Sequence, residues 1–241
     1  MCIRDSRRAV PLSITSFYAN AFPSVVTVVP KEQDFYQQDT DYIPYLTVSI
    51  VVIGIMIGGL LQSGTASARE WENETMKELL LSPAPRWAVL LGKILAAFLV
   101  SLASVAILLV VLIFLIGVRP AHWDEVIGFT LLTLAIFIAF GTLLGTVLKQ
   151  RQPVVALAMG TSIPLFFLSG AFGPISFTTP AIQVLAQIFP VYYAIVLQQH
   201  AFHNFTLNTL GTAVNALILV AYALALLALT TIVLRRSTVT H

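Results

Sequence analysis

Charge is what this chain has least of: only 10% of its 241 residues are Asp, Glu, Lys or Arg, and the formal net charge is +2. So small and dispersed a charge excludes nucleic acid as a partner and excludes a polybasic lipid anchor. The single cysteine, Cys2, rules out an internal disulfide and any multi-cysteine metal centre. His200 and His203 stand three apart near Asn204 with no carboxylate or cysteine close in sequence, so no metal site is expected. No G-x-x-x-x-G-K-[ST] loop is present to cradle nucleotide phosphates, and no cofactor is expected. What the chain has in abundance is apolar surface. It is 58% hydrophobic with a mean hydropathy of +0.90, the composition of an integral membrane protein.

Uncharged runs about twenty residues long place membrane spans at Ile43–Leu61, Ala88–Ile116, Val126–Leu148, Pro153–Gly170 and Gly211–Leu234. Each is expected to be a helix, because an open strand would leave backbone groups unpaired in lipid and no alternating ten-residue pattern suggests a barrel. The expected fold is therefore an all-α transmembrane domain over residues 42–236. Lys93 lies near the start of the second span and can snorkel to the interface.

Orientation follows from the basic residues. Arg69, Lys77, Arg86, Lys93, Lys149, Arg151, Arg235 and Arg236 fall on one side; Lys31 and Arg119 fall on the other with the N-terminal cluster Arg4, Arg7 and Arg8. The positive-inside bias predicts a cytoplasmic C-terminus in a cell inner (plasma) membrane, with residues 1–41 outside. No signal peptide or preceding span carries that stretch across the membrane, so residues 1–41 are expected to be the remnant of a longer extracytoplasmic segment, and residues 1–6, MCIRDS, to be non-native.

Between the first two spans lies a charged island, REWENETMKELLLSP, residues 69–83. Read at 100° per residue, Glu70, Glu74 and Glu78 form one acidic stripe with Lys77 beside it. Trp71, Thr75, Met76, Leu79 and Leu80 form the opposite arc, with Glu72 intruding into it. Pro83 and Pro85 stop the helix. An amphipathic helix lying on headgroups is one reading, but such helices usually carry basic polar faces. An acidic stripe suits a basic protein groove better.

These residues resemble the cytoplasmic loop of type-2 ABC transporter permeases. Arg69, Glu70, Glu72, Thr75, Leu79, Leu80, Pro83, Gly92 and Lys93 match that pattern in order and spacing; Glu74 stands where it usually has glycine, and Lys77 where it often has glutamate. FFLSGAFGPISFTTPAIQVLAQIFPVYYAI is similar to the family's extracytoplasmic segment after the penultimate span. The likeness covers about Ile43 to Arg236. It implies a type-2 ABC exporter-like permease subunit, not itself an enzyme, that pairs with a second permease subunit and with cytoplasmic ABC ATPase subunits. It also implies a coupling helix over residues 69–83, in which Arg69, Glu70, Glu72, Thr75, Met76, Glu78, Leu79 and Leu80 meet the ATPase. Family members of this layout carry a first span and an extracytoplasmic domain before the part seen here.

Two small-xxx-small pairs, Gly54 with Gly58 and Gly141 with Gly145, predict close helix packing, within the chain or between subunits. Pro153 and Pro164 start and kink the fourth span. Residues 171–205, rich in Gly and Pro and free of basic residues, predict a helix pair dipping into the outer leaflet, where protein must cover the loose backbone. Asn215 is expected to bond across helices within the last span. An intramembrane hydrolase is disfavoured, because Phe167 occupies the position where a nucleophile loop around Ser169 needs glycine. A secondary transporter or channel is the alternative, and it normally buries ionisable groups at the midplane. These spans have none, so energy has to come from a partner.

Overall fold

A computed structural model describes Phe17 and residues 42–73, 86–173, 175, 178–204 and 210–237. Helices occupy nearly all of this, and no strand occurs among the described residues. They are α1 (Tyr42–Glu72), α2 (Arg86–Val111, continued by a π-helical turn Leu112–Ile116), α3 (Trp123–Leu148), α4 (Arg151–Leu168), α5 (Pro180–Gln187), α6 (Pro190–His203) and α7 (Thr212–Ser237). Five of them are long and apolar enough to cross a membrane, or six segments if the bent pair α5 and α6 counts as one span.

The architecture follows from which faces are buried. α1 packs most extensively on α3, and these two helices form the centre; α2, α4 and α7 lie around them. The core holds Val48, Val52, Ile55 and Met56 of α1 against Leu134, Phe137 and Ile138 of α3. On the outer helices large apolar side chains point away from the protein: Leu99 and Ile107 of α2, Ile163 and Phe167 of α4, Leu217 and Leu224 of α7. In water each such chain would forgo about 1.5–3 kcal/mol of burial. Lipid removes that cost, and the chain is a multi-pass membrane protein.

Small polar residues fit this setting because their hydroxyls bond backward along the helix. Ser63 donates to the Gly59 carbonyl at 2.6 Å and Thr142 to Ile138 at 2.8 Å; Thr230 donates to Leu226 at 2.7 Å and across to Ala139 of α3 at 3.2 Å. Asn215 Nδ2 donates to the nearby Leu210 carbonyl at 3.2 Å, just before the start of its own helix. Pro153 sits in the first turn of α4, where a missing N–H costs little, and Pro164 lies inside the helix.

Of the four glycines expected at close contacts, Gly141 and Gly145 lie against α1. A Cβ added at Gly141 would stand 2.6 Å from the Leu60 carbonyl oxygen, and one at Gly145 would stand 2.8 Å from Ser67 Cβ. Gly54 faces Leu108 of α2, and Gly58 has nothing within 4 Å of where a Cβ would be. The face that α1 offers to α3 is set by Gly59, Ser63, Gly64 and Ser67, one position round the helix from the expected pair.

At 31 residues α1 is about 46 Å long, against roughly 30 Å of hydrocarbon core. Its last three turns therefore extend beyond the spanning part, as one continuous helix with it. Arg69–Glu72 form the end of α1.

Candidate functional site

The far end of α1 is held to the α3–α4 turn by two contacts. Glu72 accepts from the backbone N–H of Arg151 at 2.8 Å and from Arg151 Nε at 2.6 Å. The first bond satisfies an otherwise unpaired amide at the start of α4, and the carboxylate also favours that end of the helix dipole. Those bonds from Arg151, the backbone one foremost, hold the Glu72 carboxyl below its ordinary range. Beside them Lys149 Nζ sits 4.4 Å from the centre of the Trp71 ring, a cation–π contact. Lys149 ends α3 with a left-handed φ of 57°, which turns the chain directly into α4.

Next to this clasp a groove of about 880 Å³ opens between α1 and the start of α4. It is lined by Gln62, Thr65, Ala66, Arg69 and Glu72 from one helix and Arg151, Gln152, Val155 and Ala156 from the other. Of the residues expected to meet a partner, Arg69, Glu70 and Glu72 thus lie on the final turn of α1. Thr75, Met76, Glu78, Leu79 and Leu80 lie outside the described residues. The intrusion of Glu72 into the apolar arc has a physical reason here, since its partner comes from α4. Lys149 and Arg151, read from the sequence only as topology markers, are both part of the clasp.

At the opposite end of α1 the segment after α4 folds back as α5 and α6, bent by 92° at a short break. α6 is buried along most of its length between α1, α3 and α7. Its polar residues bond outward to them: Gln198 Nε2 donates to Thr130 Oγ1 at 2.9 Å, and Gln199 Nε2 donates to the Tyr45 carbonyl at 2.8 Å. Tyr45 in turn donates its hydroxyl to the Gly170 carbonyl at 2.8 Å. At the break, Tyr193 and Tyr222 donate to the carbonyls of Gln187 and Ile188, so backbone freed by the bend is satisfied by protein. Backbone N–H groups of Ala121 and His122 donate to Ala201, in the last turn of α6. His200 does have a carboxylate neighbour in space, Glu125 of α3 at 3.7 Å, with His122 stacked beside it. Among the described residues no three such groups are placed to hold a metal ion.

Residues 3–203 match the family model described as ABC-2 type transporter. Two Escherichia coli proteins named probable multidrug ABC transporter permease are similar: YbhR is 24% identical over 160 residues, covering 66% of this chain and 44% of that protein. YbhS is 26% identical over 185 residues, covering 76% and 48%. A putative transport permease, ycf38 of Porphyra purpurea, is 26% identical over 172 residues, covering 69% and 58%. The chain thus spans less than half the length of the two bacterial relatives.

Proposed function

Because the chain belongs to the ABC-2 type transporter family, we propose that it is the membrane-spanning part of an ATP-driven exporter, powered by separate cytoplasmic ABC ATPase subunits and paired with a second permease subunit in the plasma membrane. In this reading the C-terminus, the charged end of α1 and the α3–α4 turn all face the cytoplasm, and residues 69–83 dock on the ATPase. The observation that carries the proposal is the clasp at the end of α1. Glu72 and Trp71 tie the start of the charged island to two separate residues of the α3–α4 turn. A push delivered to the island is then shared by α1, α3 and α4 rather than dissipated at a loose helix end.

Copurification of the ATPase with the full-length subunit tests this directly. Leu79→Asp should abolish it, because a well-packed leucine at an interface is worth about 1.5–3 kcal/mol and an unpaired buried charge adds a larger penalty. Glu78→Lys should weaken it in a salt-dependent way, as expected of a rim charge screened over about 10 Å. Retention of the ATPase and of transport by Leu79→Asp would refute docking through this segment.

A further inference from the structure

We propose that the groove between α1 and the start of α4 binds an anionic amphiphile of the inner leaflet. Its phosphate or carboxylate head group is held by Arg69 and Arg151, and its apolar part runs along Ala66, Val155 and Ala156. The charge balance of the lining carries this. Among the described residues its lining has two guanidinium groups and one carboxylate. That carboxylate, Glu72, is committed to the Nε and the backbone N–H of Arg151. Among the described residues no acid pairs with Arg69, and the terminal nitrogens of Arg151 are likewise without a protein acceptor. The described lining therefore keeps an excess positive charge with donors to spare, in the fork geometry that suits a phosphate or carboxylate.

Its other properties select an amphiphile over a soluble anion. Gln62 to Glu72 climb α1 by about 15 Å, from a neutral end with Gln62, Ala66, Val155 and Ala156 to a charged end with Arg69, Glu72 and Arg151. α4 begins at Arg151 and carries no further charge along its length, so the groove straddles the boundary between headgroups and hydrocarbon. Its volume of about 880 Å³ is at the upper end of small-molecule sites. A wholly apolar ligand would leave the arginines without a counterion, and a free ion would leave the neutral end empty.

The inference rests on the proposed orientation, which puts this end of α1 at the cytoplasmic boundary, but its test needs no ATPase. The full-length subunit carrying a photoreactive benzoylphenylalanine at Val155 is placed in nanodiscs with phosphatidic acid or phosphatidylcholine of the same chains. Phosphatidic acid should crosslink about fivefold more at equal mole fraction, as one arginine near a headgroup implies. Arg69→Gln should remove the preference and Arg69→Lys should keep it. Equal yields for the two lipids, or a preference that survives Arg69→Gln, would overturn the site; displacement by about 10 mM inorganic phosphate would make the ligand a free oxyanion and overturn the amphiphile. With the ATPase and ATP added, loss of the crosslinked lipid identifies it as cargo, and persistence identifies it as a resident lipid; either keeps the site. Retention of the ATPase by Leu79→Asp with the crosslinking preference intact would count against docking through residues 69–83 alone and leave the groove standing.

Discussion

Replacing Gly145 and Gly58 by alanine should move stability in opposite directions, although both are glycines in long membrane helices. In a helix, Gly→Ala gains about 0.5–1 kcal/mol from lower backbone entropy in the unfolded chain. At Gly58 nothing lies within 4 Å of the new methyl, so that gain is all there is. At Gly145 the methyl would stand 2.8 Å from Ser67 Cβ and 3.0 Å from the Ala68 nitrogen, and closer still to the Gly64 carbonyl oxygen. Backbone atoms cannot swing aside, so α1 and α3 must part locally by about 0.5–1 Å, a gap that forfeits a quarter to a half of each contact across it. Overpacking of this kind costs about 1–3 kcal/mol, which outweighs the helix term. The full-length subunit, unfolded reversibly in mixed micelles and followed by circular dichroism, should be destabilised by Gly145→Ala and stabilised by Gly58→Ala. Adding Ser67→Gly should not restore Gly145→Ala, because the tightest neighbour is backbone. Equal stabilities for the two single variants would refute the close α1–α3 approach.

The buried glutamines of α6 should respond unequally to substitution: Gln199→Leu removes bonds to the Tyr45 carbonyl and to His203 and should cost about 1–3 kcal/mol in thermal unfolding. Gln198→Met should cost less, since the Gln198 Oε1 atom is buried with no partner in the native fold and its removal relieves that penalty; a larger loss at Gln198 would contradict the bonding pattern. The Glu72 clasp should resist acid. Because Arg151 lowers the carboxyl below its ordinary 4.5, the clasp's contribution is complete above that value and is lost only as pH falls through the lowered one. Spin labels at Asn73 and Gln152 should keep a narrow distance distribution down to about pH 4.5, and broadening at about pH 6 would refute it.

Helices were legible wherever lipid dictates them. Uncharged runs placed α2, α3, α4 and α7 to within a few residues of their observed ends, because hydrocarbon leaves a backbone of this composition no other way to pair. The continuation of α1 from Gln62 to Glu72 was not legible, since Ser63, Gly64, Thr65 and Ser67 lower the local hydropathy. In place, Ser63 and Thr65 return their hydroxyls to the helix carbonyls, and the small side chains admit α3. The choice between Gly58 and Gly59 as the packing face depends on where α3 lies, which no local spacing encodes. Of the candidate site, the charged residues Arg69, Glu70 and Glu72 stood out by contrast with their surroundings. Their partners did not, because Glu72–Arg151 and Trp71–Lys149 join residues far apart in sequence, as does His200 with Glu125.

The length of α1 gives it a mechanical character. Near one end, Tyr45 ties it to Gly170 and to Gln199 of the bent pair; at the other, Glu72 ties it to the first residue of α4. Between these attachments runs one unbroken helix. A rod of about 46 Å tilted by about 5° around its midpoint carries each end about 2 Å, in opposite senses. A displacement of the clasp in one direction is thus delivered to the bent pair in the other, with no signal having to pass from side chain to side chain through the bundle.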